Sequence, residues 1–274
     1  MKDYKGILTL NKNARGCYIL DTVKGCSLGL KDNPNGCYDD CYANRIAKRY
    51  GFNFGKTIKR DIQKDKSQFY LFGFSDDSHA DRLIKQIRNI DMPFVRIGEM
   101  GDPSLNWEHT IKICKIISKA GKPIVIITKH WKVLSDSLLK DIKPLDICIN
   151  TSISALDTEG QIHKKLHQFY RLKDYCNSVL RIVSCDFNKE NEEGISRRVV
   201  QDELFKHTPH IDTIFRPSLN NPLVKNNVIN ISKVKFLSAS VNASVHNKDT
   251  YFGYCGKCPD MCGVNLINNS LALT

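Results

Sequence analysis

The sequence predicts an α/β protein: a partial (β/α)6 barrel of the TIM type with a cysteine-containing extension at its C-terminal end. Three observations lead to this prediction. Short apolar, β-branched runs recur along the 274 residues, and amphipathic stretches separate them. The runs show little polar alternation, which is typical of parallel strands covered by helices on both faces. The length suits an α/β barrel built as a single unit.

Each strand of the predicted barrel is an apolar run next to an amphipathic segment. The six predicted strands are Tyr18–Val23, Pro93–Met100, Lys122–Lys129, Leu145–Ser154, Ser178–Phe187 and Ile211–Leu219. Predicted helices lie at 42–51, 78–90, 107–121, 161–175 and 194–208, with a short one before Leu145. Six strand–helix repeats in one direction favour a barrel, although periodicity alone leaves a doubly wound sheet open. Residues 1–220 would form the barrel and residues 221–274 the extension.

Composition and charge limit the functional classes. The N-terminal residues lack the apolar region of a signal peptide, and no run is long enough to span a bilayer, so we expect a soluble, cytoplasmic protein without a membrane partner. A net charge of +12 indicates an anionic partner, with nucleic acid as the first candidate. The eleven cysteines then need an explanation other than disulfide bonds, because a reducing compartment disfavours disulfide bonds.

Three of the cysteines, Cys26, Cys37 and Cys41, lie between the first predicted strand and the helix that begins near Tyr42. Thiolates are soft ligands that suit zinc or an iron–sulfur cluster. Structural zinc normally takes four protein ligands, whereas three thiolates on a cubane cluster leave one iron open for another molecule. A zinc knuckle and unrelated cysteines remain alternatives at this point.

The segment "CYANRIAKRYG", which follows the clustered cysteines, resembles the cluster loop of radical S-adenosylmethionine (SAM) enzymes. The resemblance is to the spore photoproduct lyase-like branch and its phage-borne relatives, and it extends over roughly residues 18–219. Gly98 and Glu99 match part of that family's Gly-Gly-Glu motif. The loop departs from the usual Cys-x3-Cys-x2-Cys spacing, because ten residues separate Cys26 from Cys37.

The resemblance implies a cofactor set and roles for particular residues. Cys26, Cys37 and Cys41 would bind a [4Fe–4S] cluster that reductively cleaves SAM to a 5′-deoxyadenosyl radical, which abstracts hydrogen from a substrate. An electron donor such as flavodoxin or ferredoxin would reduce the cluster. The implied SAM-binding residues are Gly98 and Glu99 near the amino group, Ser152 and Ser154 near the ribose or carboxylate, Arg181 near the carboxylate, and Tyr42 near adenine. No residue is predicted to be catalytic, and nucleic acid is the candidate substrate.

A second group of cysteines, Cys255, Cys258 and Cys262, lies in the segment "YCGKCPDMCG" of the extension. Such density in a reducing compartment indicates a metal. The site could hold an auxiliary iron–sulfur cluster, or zinc completed by His246 or Cys17, and the spacing does not choose between them. The competing functional hypothesis is a non-catalytic, zinc-containing nucleic-acid-binding protein, which uses the same cysteines and the positive charge.

Overall fold

A seven-stranded, mostly parallel sheet forms the centre of the computed structural model, which describes residues 1–30, 37–63 and 78–266. The strands in chain order are β1 (Asn11–Lys12), β2 (Tyr18–Leu20), β3 (Val23–Lys24), β4 (Ile58–Lys59), β5 (Val95–Ile97), β6 (Ile124–Thr128), β7 (Ile147–Ile153), β8 (Asn177–Ser184), β9 (His210–Ile214), β10 (Ser232–Phe236) and β11 (Ala239–Ala243). The central sheet has the order β1-β2-β5-β6-β7-β8-β9. The pairs β3–β4 and β10–β11 form two small antiparallel sheets.

The central sheet confirms the α/β class and its parallel core. All six predicted strands are present as β2 and β5–β9, and each pairs in parallel with the next one along the chain. This order has no point where the winding reverses, so it is not that of a doubly wound sheet. Within the described residues β1 and β9 are the two edges of the sheet, and no closed barrel is found. The antiparallel strand β1 was not predicted from the sequence.

Seven helices connect and cover the strands in the part of the chain that is described. They are α1 (Tyr42–Arg49), α2 (His79–Arg88), α3 (Trp107–Ile117), α4 (Asp136–Ile142), α5 (Glu159–Leu172), α6 (Glu192–Leu204) and α7 (Pro222–Lys225). Polar N-cap side chains begin most of them, and Thr158 forms a capping box with Gln161 at the start of α5. Every residue of β7 is buried, because helices and the C-terminal extension cover both faces of the sheet.

The extension packs against the same core as the strands. Cys255 and Cys262 belong to the main hydrophobic cluster, together with apolar residues of β5, β6 and β7. Asn150 in the middle of β7 donates a hydrogen bond to the carbonyl of Cys262 at 2.9 Å. No helix in these described ranges has the length and apolar character needed to cross a membrane.

Candidate functional site

The cysteine loop begins beside the carboxyl end of the parallel sheet. Gly25, with φ of +81°, donates its amide to the carbonyl of Met100 at 2.8 Å, three residues after the end of β5. A Cβ on Gly25 would lie 2.1 Å from the carbonyl oxygen of Lys56, so glycine is required there. Cys26 donates its amide to Phe54 at 2.6 Å. These contacts fix Cys26 at the edge where polar strand ends of an α/β protein meet.

Tyr38 and Asp40 hold the second half of the loop across the other strand ends. The Tyr38 hydroxyl donates to Asp157, beyond β7, at 2.9 Å and accepts from Lys129, which follows β6, at 2.7 Å. Asp40 accepts the amide of Ser218, beyond β9, at 2.7 Å and the side-chain amide of Asn221 at 2.9 Å. The segment that carries Cys37 and Cys41 is therefore tied to three strands at one edge of the sheet.

The three thiols of this loop act on one another electrostatically. Cys37 and Cys41 share a hydrogen bond, which with burial raises the pKa of Cys37 and, with the amides of Asn44 and Ala43, lowers the pKa of Cys41 to about 7. Burial first, and then the charges of Asp102 and Cys37, raise the pKa of Cys26 to about 12. The lowered pKa favours the thiolate form of Cys41.

The space beside Cys41 depends on a glycine. A Cβ on Gly29 would lie 3.0 Å from the Cys41 sulfur and 2.6 Å from the Phe54 ring. Cys41 is also the N-cap residue of α1, so its sulfur faces the positive end of the helix dipole. The chain therefore leaves room beside the thiols and an electrostatic environment that favours thiolates.

Glu99 and Gly98 follow β5 at the same edge. The Glu99 carboxylate already accepts hydrogen bonds from Arg96 at 3.1 Å and Asn13 at 2.8 Å, while its backbone carbonyl accepts from the Tyr42 hydroxyl at 2.9 Å. Asp21 holds this turn by accepting the amides of Glu99 and Met100. Glu99 and Tyr42, two of the predicted SAM-binding residues, are thus neighbours, but the hydrogen-bonding capacity of Glu99 is partly used within the protein.

Ser152, Ser154 and Arg181 lie on neighbouring strands. Ser152 pairs in register with Arg181, so both project from one face of the sheet. Asn150, two residues earlier, contacts Cys262 on that face. The Ser154 hydroxyl is fully buried; it donates to the carbonyl of Val183 at 2.7 Å and accepts the amide of Leu156 at 3.2 Å. Ser154 therefore has a structural role in this conformation, and Ser152 and Arg181 are the more available pair.

The second cysteine group meets a residue from the N-terminal part of the chain. Cys17 and Cys255 share a hydrogen bond between their thiols, and the charge of Cys262 acts on Cys17 and Cys258. The backbone amide of Cys255 donates to Arg15 at 2.7 Å, which fixes the two segments together. The Cys17 thiol and then the nearby arginines lower the pKa of Cys255 to about 6, against the effect of burial.

Of the two predicted candidates for a fourth ligand, the structure brings Cys17 to the group. His246 instead stacks on Phe205, with 5.5 Å between the ring centroids, in a cleft lined by Asp202 and Lys248. None of the cysteine interactions involves His246. Cys17 thus joins Cys255, Cys258 and Cys262, although about 240 residues of chain separate it from them.

A finished metal coordination shell is absent from residues 1–30, 37–63 and 78–266, where no three or more His, Cys, Asp or Glu side chains stand in metal-binding geometry. The metal-ligand assignments therefore stay predictions. The donor chemistry fits soft metals at both places, since each contains two thiols that shift each other's pKa and further cysteines that act on them. Residues 31–36, between Cys26 and Cys37, lie outside the described ranges.

Sequence reasoning missed a buried polar network below the cysteine loop. Asp157 receives the hydroxyl of Tyr38 and forms an ion pair with Lys165 at 2.7 Å, and both carboxylate and ammonium are almost fully buried. Burial alone would raise the pKa of Asp157, but Lys129 and Lys165 hold it below its ordinary value. The sequence did contain one signal for this network. Lys165 lies on the side of the amphipathic helix α5 that faces the sheet, where a buried charged residue is unusual.

Comparison with known proteins gives no assignment. No family model matches this chain, and no curated protein matches it.

Proposed function

We propose that this protein is a radical SAM enzyme whose cluster ligands are Cys26, Cys37 and Cys41. The observation that carries the proposal is the convergence of these three thiols at the carboxyl edge of a sequentially ordered parallel sheet. Active sites of α/β proteins lie at this edge, where loops from several strands meet. The resemblance of the cysteine loop to the radical SAM cluster loop supports the same conclusion.

The residues present suit a [4Fe–4S] cluster with one open iron. Three sulfur donors are close together, glycine leaves room at Cys41, and Lys129 brings a positive charge near Cys37. When bound, such a cluster would supply the single electron that cleaves SAM reductively. The protein itself orients and shields: Tyr38 fixes the loop, and Phe54 and Tyr42 cover the thiols and the Glu99 turn.

The proposed SAM contacts follow the strand ends. Gly98 and Glu99 would approach the amino group, and Ser152 with Arg181 would bind the ribose or carboxylate from β7 and β8. Ser154 would support this surface through its backbone hydrogen bonds, and Tyr42 would lie near adenine. The overall positive charge supports an anionic substrate, with nucleic acid as the candidate, and an acidic electron donor such as flavodoxin or ferredoxin.

Anaerobic reconstitution with iron and sulfide tests the proposal. The wild-type protein should bind about four irons at the loop site and, with a reductant, convert SAM to 5′-deoxyadenosine. Cys26→Ala, Cys37→Ala and Cys41→Ala should each abolish that product. Cys114→Ala is the matched control, because Cys114 is fully buried in α3, away from both cysteine groups. Cleavage that survives in the three loop variants would refute the proposal.

A second candidate function, a non-catalytic zinc protein that binds nucleic acid, is favoured by one observation. Cys17 brings the C-terminal group to four thiols, and closed four-cysteine sites are typical of structural zinc. Zinc at this site is compatible with an iron–sulfur cluster in the loop. Protein purified without oxygen that holds zinc alone, with neither iron nor SAM bound after reconstitution, would select the non-catalytic candidate.

A further inference from the structure

A largely enclosed cavity of about 40 Å³ lies between the inner face of the sheet and the C-terminal cysteine segment. Arg96 and Arg181 enter it from β5 and β8, on the same sheet face as the Asn150–Cys262 contact. Two further arginines come from outside the sheet strands. The complete arginine lining is Arg15, Arg96, Arg181 and Arg216.

Within the described part of the chain, two of these arginines have no acidic partner. Arg181 and Arg216 form no hydrogen bond or ion pair with any residue in the described ranges. Arg216 is held by aromatic rings instead, with its guanidinium 5.5 Å from the Phe236 centroid and 5.8 Å from that of Phe252. The Arg15 side chain donates to the carbonyl of Gly253 at 2.7 Å. Guanidinium groups in such surroundings ordinarily pair with a carboxylate or phosphate.

The cavity also has two acidic residues, Asp212 and Asp260, and within the described residues neither forms an ion pair with an arginine. Asp212 accepts the hydroxyl of Thr250, and Glu99, just outside, accepts from Arg96. Asp260 acts on Arg181 electrostatically without forming an ion pair. Burial and the charges of Arg15 and Arg181 lower the pKa of Arg216, so the arginines repel one another in the absence of an anion.

We propose that this cavity binds a compact oxyanion, a phosphate or carboxylate group of the substrate, between Arg15 and Arg216. The proposal rests on the proposed function in that it names the chemical class of the substrate of the same enzyme. The cavity volume is several times the roughly 10–15 Å³ that one ordered water needs, which admits a small anionic group and excludes a whole nucleotide. The rest of the substrate would extend past Tyr251 and Phe252 toward solvent.

A competing account is that the arginines only offset the charge of cysteine thiolates. Arg15, Arg96 and Arg181 do act on Cys255 in this way. Arg216 separates the two accounts, because its neighbours are Tyr42, Phe236, Phe252 and the other arginines, and no cysteine contact holds it. A thiolate role leaves the orientation of Arg216 toward the cavity unexplained.

The test measures thermal stability and calorimetric binding of the full-length protein as purified, at constant ionic strength. Inorganic phosphate and acetate are titrated separately, with sodium chloride replaced in equal ionic strength. We expect a saturable rise in Tm with one of the two anions, and that anion identifies the group. Arg216→Gln should weaken the binding about tenfold or more, as expected for loss of a charge-assisted hydrogen bond. Arg198→Gln, on the exposed face of α6, should bind as the wild type does.

Each outcome decides the matter. Arg216→Gln should also raise Tm in the absence of an anion, because it removes the repulsion between Arg216 and the other arginines. Loss of a purely structural arginine would not raise Tm. Saturable binding that is equal in wild type and Arg216→Gln overturns the proposal, as does an absence of binding with both anions. Binding needs neither cluster nor SAM, so oxyanion binding without SAM cleavage would remove the proposed function and leave this site in place. SAM cleavage without oxyanion binding would do the reverse.

Discussion

His130 is a buried titratable residue next to the candidate site. Its ring nitrogen Nε2 lies 3.1 Å from the Thr151 hydroxyl, and its ring lies 5.6 Å from that of Trp107. Burial first, and then the charges of Lys165 and Lys164, lower the pKa of His130 to about 3. The residue is therefore neutral in the folded protein over the whole physiological range, and protonation must wait for unfolding.

This pKa predicts a specific acid sensitivity. The unfolded chain binds a proton at His130 below about pH 6.5, whereas the folded protein does not until about pH 3, so stability falls as the pH falls through that window. Between pH 6 and 4 His130→Gln should reduce the slope of unfolding free energy against pH by about 1 kcal/mol per pH unit. Urea unfolding at several pH values measures it, and the exposed His163→Gln should leave the slope unchanged.

Tyr38 is the second residue whose removal has a sharp expected result. Tyr38→Phe deletes the hydroxyl that joins Lys129 to buried Asp157, and should lower the free energy of unfolding by about 1–3 kcal/mol. Because Tyr38 adjoins Cys37, alkylation of that thiol should also become faster. Chemical unfolding and timed alkylation measure the two effects. Tyr50→Phe, at a mostly exposed position, is the control, and equal behaviour of the two variants would contradict the assigned role.

At the scale of elements, the turn after β5 decides how closely two strand ends approach. Gly98 has φ of +96°, and a Cβ there would lie 2.6 Å from the carbonyl oxygen of Ile127 in β6. No L-residue fits this backbone conformation and distance without a shift of β5 against β6. The packing of the turn thus requires glycine at position 98, and the same glycine is part of the resemblance to the SAM-binding motif.

Gly98→Ala should accordingly cost about 1–3 kcal/mol of stability, because it adds both backbone strain and a clash. Gly160→Ala is the matched control. Gly160 lies in the first turn of α5 with no atom within 4 Å of the added methyl, so alanine should stabilise by up to about 1 kcal/mol. Thermal unfolding compares the two, and a stable Gly98→Ala protein would show that the turn relaxes freely.

For the whole molecule, the six parallel strands of the central sheet could be predicted from local pattern, while the edge strand β1 and the closure of the sheet could not. Each apolar run, such as the one at β7, can be recognised as a buried strand from its own composition and length, so all six strands were found. β1 has two exposed residues and exists only through its pairing with β2. Closure into a barrel is likewise a property of strand pairing across the whole chain, and no run of residues encodes it.

The site shows the same division. Cys26, Cys37 and Cys41 were predicted together because one loop holds them. The contact of Cys17 with Cys255 and the link from Tyr38 to Asp157 join residues that only the folded sheet brings together. The order of residues along the chain does not show which distant residues will meet, because the cost of closing a loop depends only weakly on its length.

The positive charge of the whole molecule gives the last prediction, which concerns nucleic acid. Lys48 and Arg49 are exposed on α1, directly after the cysteine loop, and Arg45 beside them pairs with Asp40. If this face contacts phosphates, binding of duplex DNA should weaken with salt by about 0.9 log unit per log unit of salt for each phosphate neutralised. A Lys48→Gln/Arg49→Gln variant should lower that slope by about 1.8. Fluorescence anisotropy over a range of salt concentrations measures it.

The matched control removes the same charge elsewhere. Lys119→Gln/Lys140→Gln changes two exposed lysines that lie just before β6 and β7, at the amino edge of the sheet and so opposite the cysteine loop. Its slope should equal that of the wild type. An equal loss in both double variants would mean that only total charge matters, and a slope near zero for the wild type would exclude nucleic acid as the partner of this face. The positive charge would then act on a small anion or on an acidic electron donor instead.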